Sequence, residues 1–322
     1  MISFIVIGKN EGQYLQMSLE SVREVCESIA TTTEIIYVDS ASTDNSVEIA
    51  CQFDDISVYA LTANNNAAIA RNIGAELAKG DILVFVDGDM QIQPELKDAF
   101  FNERSQLIHP FISGNWENQY YDEHDQPLHR EIYKKVACET DEYQYTTGGL
   151  FAITKALWNE IGGMNNTFAK GQDLDLGFRL SKHGVLLLRR KQVVALHHTI
   201  HYMDKNRIWN DFNNGSLVLP RAILYRKHLN NKFVMKRMLS SDPTMLYLIF
   251  SILATAFGYY ETILLYPFIV IGGITYSHGW HGIGQAIIRT FHQFFRDVVN
   301  IGAFLFYIPP KNNNIKYERI DG

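Results

Sequence analysis

The acidic and imidazole side chains of this sequence fall at three places where they could act together. The first is Asp87-Gly88-Asp89, which ends the apolar run Ile82-Leu83-Val84-Phe85-Val86. Such a run reads as a strand buried on both faces, and ligands of open α/β sheets sit beyond the carboxyl ends of strands. Two carboxylates at i and i+2 suit a hard divalent cation held together with phosphate oxygens; the same tripeptide also reads as a plain Asp-Gly turn. The second place is Gly171-Gln172-Asp173-Leu174-Asp175, a helix start whose carboxylates are stabilised by free N–H groups and the helix dipole. The third is Val193-Val194-Ala195-Leu196-His197-His198, a strand ending in two imidazoles, good ligands for manganese-like ions beside a carboxylate. Strand alternation lets only one of the pair face inward and leaves the choice between His197 and His198 open. His201, Arg207 and Trp209 follow; the last two read as candidates for a segment over a diphosphate.

A sheet must carry these groups. Ile2 to Ile7, Glu34 to Val38, Ser57 to Leu61 and the run ending at Asp87 read as strands. Between them lie a helix with Leu15, Leu19, Val22, Val25 and Ile29 on one face, a helix start at Ser42-Thr43-Asp44, and a helix from Asn66 to Ala78 closed by Gly80. This alternation predicts an α/β fold with a doubly wound, mainly parallel sheet. Its strand ends collect Gly8, Asn10 and Glu11, then Asp39, then Asp87 and Asp89, with Arg71 and Asn72 on the helix before the fourth strand. Asp39 can accept from a base N–H or ribose hydroxyl, and Arg71 can meet a base carbonyl or a phosphate; each alone is more often a cap or a solvated helix face. Gly8 lacks G-x-G-x-x-G partners and no G-x-x-x-x-G-K-S/T occurs, which argues against a nicotinamide enzyme or an ordinary NTPase. A net charge of −6 gives no basis for nucleic-acid binding, and Cys26, Cys51 and Cys138 match neither zinc nor disulfide spacing, predicting a reducing compartment. Met1 to Ile7 runs straight into a strand, so no signal peptide is expected.

Four blocks in order, Ser3-Phe4-Ile5-Val6-Ile7 with Asn10-Glu11, Val38-Asp39-Ser40-Ala41-Ser42-Thr43-Asp44-Asn45-Ser46, Ala70-Arg71-Asn72-Ile73-Gly74-Ala75 and Val86-Asp87-Gly88-Asp89, resemble the opening of the family 2 glycosyltransferases of GT-A fold. The resemblance implies a nucleotide-sugar site with Gly8, Glu11, Asp39 and Arg71 around base and ribose, Asp87 at ribose and diphosphate, and Asp89 on the metal. Many members carry Asp-Asp-Gly-Ser-Thr-Asp in the second block; here Asp39-Ser40-Ala41-Ser42-Thr43-Asp44 lacks the glycine. The family has Glu-Asp or a close variant at Gln172-Asp173, which implies Asp173 as general base and Gln172 as an acceptor contact that is not a base. The pair His197-His198 resembles the histidine that often completes the family's metal site. Gly148-Gly149, feeding the strand to Ile153, allows close backbone approach to an acceptor.

Phe111 to Asn115 is strand-like, and Lys155 to Ile161 is a short helix stopped by Gly162-Gly163. Trp116 to Tyr145 has no clean period and reads as an acceptor-facing excursion or an irregular insertion. From about residue 221 the composition changes. A basic stretch with Arg221, Arg226, Lys227, Lys232, Lys236 and Arg237 precedes Thr244 to Tyr276, whose one charge is Glu261. A single helix of that length would be about 50 Å, too long for about 30 Å of hydrocarbon. Gly258 and Pro267 suggest two short helices, a hairpin that spans a membrane, re-enters it, or forms a buried soluble pair. The basic flank places 221–237 on the cytoplasmic side, and Gly279 to Ile308 carries the pattern of a membrane-surface helix. The expected organisation is a catalytic domain over 1–225, a basic linker over 226–243, a membrane-associated helical segment over 244–308 and a loose polar tail over 309–322.

These readings imply an inverting, metal-dependent transferase using Mn2+ or Mg2+. It would move a sugar from a nucleotide sugar, expected to be a UDP-sugar, to a hydroxyl of a glycan or lipid-linked acceptor in cell-surface polysaccharide synthesis. It would be membrane-associated with its catalytic domain facing the cytoplasm. The alternatives are the same fold acting on a polyprenyl phosphate, which needs no base, a nucleotidyltransferase, and a non-catalytic membrane scaffold that binds nucleotide sugars.

Overall fold

Strand β1 (Ile2–Gly8) is buried along its whole length, and its alternation divides the core. Phe4 and Val6 pack on one face with Leu15, Leu19 and Val22 of α1 (Leu15–Ser28), while Ile5 and Ile7 pack on the other with Ile69 and Ile73 of α3 (Ala67–Leu77). Gly74 lets α3 lie against the strand, since a Cβ there would come within 2.3 Å of Ile5 Cγ2. The computed structural model describes residues 1–63, 66–122, 124–168, 170–200, 219–278, 282–309 and 315–320; His201, Arg207 and Trp209 lie outside them.

The chain forms two units, Met1–Asp204 with Lys311–Gly322, and Lys205–Pro310. The first holds β1, α1, β2 (Thr33–Asp39), α2 (Ser46–Ala50), β3 (Ile56–Ala63), α3, β4 (Ile82–Asp87), β5 (Met90–Ile92), α4 (Glu95–Phe100), β6 (Phe111–Tyr121), β7 (Pro127–Ile132), β8 (Glu142–Gln144), β9 (Phe151–Thr154), α5 (Lys155–Ile161), α6 (Gln172–Lys182), β10 (Leu187–Ile200) and β11 (Lys316–Ile320). One sheet runs β11-β3-β2-β1-β4-β9-β6-β10-β5, with β7 on β6 and β8 on β10. Strands β3, β2, β1 and β4 are parallel, as expected, and Gly8 is level with Asp39 while Ile7 is level with Asp87. The polar ends of three strands therefore share one edge.

The expectation of a mainly parallel sheet holds for that half and for β6 with β10, but not for the rest. Strand β9 enters antiparallel between β4 and β6, and β5, β7, β8 and β11 also pair antiparallel, so the sheet is mixed. The stretch from Trp116 to Tyr145 is also more regular than its sequence suggests: β6 continues to Tyr121 and turns back as β7. The tail expected to be loose supplies β11, which covers the free edge of β3; pairing an edge strand satisfies backbone groups without an apolar pattern.

The second unit contains α7 (Leu219–Lys227), α8 (Lys232–Ser241), α9 (Pro243–Ala256), α10 (Glu261–Leu264), α11 (Tyr266–His278) and α12 (Ile283–Phe306). Residue 225, the expected boundary, falls inside α7. Helix α9 ends at Phe257, ahead of Gly258 at φ +90°.

Candidate active site

The loops after β1 and β2 are tied to each other. Asn10 N–H donates to Ser42 Oγ at 2.8 Å, Thr43 N–H to Asn10 Oδ1 at 2.7 Å, Glu11 N–H to Ser46 Oγ at 3.0 Å and Gly12 N–H to Asp44 Oδ2 at 2.9 Å. Asp39 is buried at their root. Its carboxylate accepts from Tyr37 Oη (3.1 Å), Ser42 Oγ (2.5 Å) and Ser42 N–H (2.7 Å). Asn10 (φ 58°) and Ala41 (φ 59°) both adopt the left-handed conformation. Ala41 stands where the resembling sequences carry glycine, the residue this backbone favours.

Asp87 is tied from behind by Arg71. Nη2 donates to Oδ1 at 2.5 Å, and Arg71 is only 3% exposed. Arg71 was expected beside base and ribose; in the structure it reaches the site through Asp87. Its neighbour Asn72 holds Met164 N–H and O at 2.8 and 2.7 Å, fixing the segment before α6. Asp89 Oδ2 meets His197 Nε2 at 3.1 Å, and Asn118 Oδ1 lies 3.0 Å from His197 Nδ1. His198 turns away to Tyr121 Oη at 2.8 Å and stacks on Tyr14 with ring centroids 5.0 Å apart. The structure thus resolves the open choice: His197 is the imidazole facing Asp89.

This corner concentrates negative charge. The Glu11 carboxyl is pushed up to about 8, by burial first and then by Asp89, Asp87 and Asp44. Asp87 is pushed up to about 6; burial raises it, the Arg71 guanidinium works against that, and Asp89 adds to the rise. At His197 burial opposes the imidazolium, but its hydrogen bond to the Asp89 carboxylate and the charges of Asp89 and Asp87 outweigh it, so its pKa is raised. Burial dominates at His198 and lowers its pKa.

Asp173 begins α6 and accepts from Thr146 Oγ1 at 3.0 Å. Thr146 opens the loop that contains the glycine pair. A Cβ on Gly148 (φ +74°) would lie 2.3 Å from the Trp116 ring, and one on Gly149 would lie 2.3 Å from Asp87 Oδ2. Both glycines are needed for close approach, one to an indole and one to the Asp87 carboxylate. Gln172 Oε1 is buried without a hydrogen-bond partner.

Sequence reasoning missed Arg189, on β10. It is wholly buried, and among the described residues no carboxylate forms an ion pair with it. Nε donates to Gln144 Oε1 (3.1 Å), Nη1 to Ser113 Oγ (2.8 Å) and Gly114 O (2.7 Å), and Nη2 to Thr146 O and Thr147 O (both 3.1 Å). Its guanidinium lies over Trp116, 5.2 Å from the ring centroid. All five donors are therefore used, and the loop joining Asp173 to Asp87 is anchored from below. No sequence signal marked it, because its partners, three backbone carbonyls and two side-chain oxygens, are scattered over the chain.

The sequence model of the family described as Glycosyl transferase family 2 matches residues 3–165. Glycosyltransferase GlyG of Streptococcus pneumoniae serotype 4 is 34% identical over 165 residues, 50% of this chain and 48% of GlyG, so the chain spans about half that relative's length. An undecaprenyl-phosphate 4-deoxy-4-formamido-L-arabinose transferase of Pseudomonas paraeruginosa is 32% identical over 102 residues, 30% of each chain. Among solved structures, S. aureus TarS 1-349 in complex with UDP superposes with a TM-score of 0.53 over 100% of this chain and 97% of that one, at 14% identity, a likeness of fold. The strands that bring Glu11, Asp39 and Asp87 to one edge lie inside the matched region, and on that match the chain belongs to glycosyl transferase family 2.

Proposed function

We propose that the chain transfers a sugar from a nucleotide sugar, a UDP-sugar, to a hydroxyl acceptor with inversion at the anomeric carbon. One observation carries the reading: a single loop contacts Asp173 through Thr146 and Asp87 through Gly149, so a candidate base and the donor-side carboxylates belong to one constellation. The loops around Asp39 would take base and ribose, with Gly8 and Glu11 beside them. Gly148, Gly149 and Gln172 would line the acceptor side.

The residues fit a divalent cation, Mn2+ or Mg2+. Asp89 Oδ1 is buried without a protein donor, Oδ2 faces His197, and Glu11 and Asp87 add carboxylates whose charge burial disfavours. Among the described residues no three His, Cys, Asp or Glu form a ready-made ligand group. Asp89 and His197 would therefore share the ion with diphosphate oxygens, as hard cations on one or two carboxylates do. When bound, the ion supplies Lewis acidity to the departing diphosphate. Asp173 takes the proton from the acceptor hydroxyl as its oxygen attacks. Gly149 and Arg71 fix Asp87, and Thr146 fixes the Asp173 carboxylate. One displacement inverts the centre, by the stereochemical logic that also governs glycosidases.

The acceptor in this reading is lipid-linked and the chain membrane-associated, facing the cytoplasm. A second reading, transfer to a polyprenyl phosphate, is favoured by the undecaprenyl-phosphate transferase among the relatives. The test is a panel of nucleotide sugars with Mn2+ and the purified chain, reading nucleotide release with a hydroxyl glycolipid or a polyprenyl phosphate as acceptor. Release of UDP with the glycolipid is expected. Release only with the phosphate selects the second reading, pyrophosphate release means nucleotidyl transfer, and binding without turnover means a scaffold.

A further inference from the structure

We propose that the helical unit, residues 205–310, docks on an anionic lipid surface and enters one leaflet without crossing the bilayer, which deepens the membrane part of the reading above. The unit buries carboxylates inside and leaves a large apolar surface outside. Asp242 is fully buried and bonded to Arg221 Nη1 (2.8 Å) and Tyr225 Oη (2.5 Å), with Arg296 Nη2 at 3.9 Å. Asp297 is also fully buried, accepting from Tyr266 Oη (2.8 Å) and Gln293 Nε2 (2.9 Å). These polar locks hold α7, α9, α11 and α12 together from inside.

A small apolar core around Leu248, Tyr266 and Val270 is buried, but many large apolar side chains lie outside. All but six of the exposed large apolar residues among those described fall between Leu229 and Ile308. Helix α12 is the clearest case: Asp297 and Asn300 face inward at 0% and 2% exposed, while Ile287 and Phe291 are 62% and 69% exposed. In water the hydrophobic effect drives the opposite arrangement, whereas inward polar groups and an outward apolar surface suit a lipid solvent.

Charge selects the kind of lipid. Residues 205–310 carry ten Lys and Arg against four Asp and Glu, in a chain whose net charge is −6. On α8, exposed Lys232 and Lys236 stand beside exposed Met235 and Leu239. That arrangement lets the amines reach headgroups while the apolar neighbours enter acyl chains. No single helix among the described residues is both long and apolar enough to cross. Helix α9 has 14 residues, about 21 Å, against about 30 Å of hydrocarbon, and α12 with 24 residues is long enough but carries Arg289, Arg296 and Asp297. Helices α8 and α9 together have the length and composition of a broken span or a re-entrant loop, and the 92° bend between them favours the re-entrant form.

The experiment floats the purified full chain with phosphatidylcholine vesicles, with and without phosphatidylglycerol. Flotation with the anionic vesicles is expected. Ile287→Asp with Phe291→Asp, or independently Met235→Asp with Leu239→Asp, should cut the bound fraction at least about tenfold without lowering the melting temperature. Tyr143→Asp, exposed on the sheet unit, should leave flotation intact. A chain that stays down with both vesicle types overturns the proposal, and a dimer abolished by the same pairs reassigns the face to a second copy. Depth is read from a fluorophore on Tyr259→Cys in a Cys51→Ser background. Quenching by nitroxide lipids is expected; quenching by an impermeant agent sealed inside the vesicles means a span and ends the one-leaflet claim while keeping attachment. UDP titration on the same preparations reports the donor site separately.

Discussion

His197 Nε2 and Asp89 Oδ2 lie 3.1 Å apart, joining the end of β10 to the turn after β4. His198, one residue on, is held at Tyr121 and Tyr14. The pair therefore separates the metal ligand proposed above from a packing residue. His197→Ala should weaken Mn2+ activation by roughly 10-fold to 100-fold, a loss typical of metal-site partners. His198→Phe preserves the stack on Tyr14 and should leave the metal titration within about threefold. Equal losses in the two variants would remove His197 from the metal site.

The carboxylate corner makes stability depend on pH in a definite direction. The Glu11 carboxyl is raised from 4.5 to about 8 in the folded chain. Between those values the native state holds more proton than the unfolded state, so metal-free stability should fall as pH rises from about 4.5 to about 8. Glu11→Gln should flatten that slope, and Mn2+ should restore stability at the upper end. Urea unfolding at several pH values, with and without the ion, measures both; a metal-free chain that gains stability across the window contradicts the reading.

Ala41 and Asn10 share a left-handed backbone but predict opposite responses. Ala41 has no side-chain role in the loop, so Ala41→Gly should stabilise the chain by roughly 0.5–1 kcal/mol. Asn10 Oδ1 holds Thr43 N–H at 2.7 Å, so Asn10→Gly should cost about 1 kcal/mol despite the relief of φ. Denaturant midpoints of the two variants check the contrast.

How far the sequence revealed this arrangement depended on what each element must bury. Strands β1, β2 and β4 were legible because both their faces are largely apolar, and β3, buried mainly on one face, was the weaker signal. Strand β7 is exposed for nearly all its length and β11 for most of its own; edge hydrogen bonding holds them and leaves no pattern in residue types. The choice between His197 and His198 was out of reach because bulges between Arg190 and Ala195 reset the alternation of β10. Asp39, Arg71, Asp87, Asp89 and Asp173 could be named from motifs, but the pairing of Arg71 with Asp87 and the place of Arg189 beneath the glycine loop depend on partners that only the folded chain brings near.

Arg189 offers a direct test of that loop. Arg189→Met keeps most of the apolar stem but removes the guanidinium over Trp116 and leaves the carbonyls of Gly114, Thr146 and Thr147 without these donors. The loss should be about 3 kcal/mol or more, since buried acceptors left unmade are costly. Arg189→Lys should recover only part, because one ammonium cannot replace a five-donor fork. Urea unfolding gives the stability, and full recovery in the lysine variant would contradict the fork.

Asp173 separates transfer to a hydroxyl from transfer to an acceptor that is already ionised. Asp173→Asn keeps the shape and an oxygen for Thr146 Oγ1, now 3.0 Å away, and removes the carboxylate. Asn and Asp are similar at a helix start, so the melting temperature should barely move. If the carboxylate takes the acceptor proton, transfer to a hydroxyl falls by roughly 10²–10⁴-fold. UDP affinity should stay, because Asp39, Asp87 and their loops are untouched. Thr146→Val gives an independent check: it leaves the carboxylate but frees it from its hydroxyl partner, and should lower transfer by less than Asp173→Asn does. Titration of UDP and product formation must be read on the same preparations. Near-normal transfer by Asp173→Asn with a polyprenyl phosphate, and none with a hydroxyl acceptor, would assign the chain to the ionised substrate; loss of UDP binding along with transfer would make Asp173 structural.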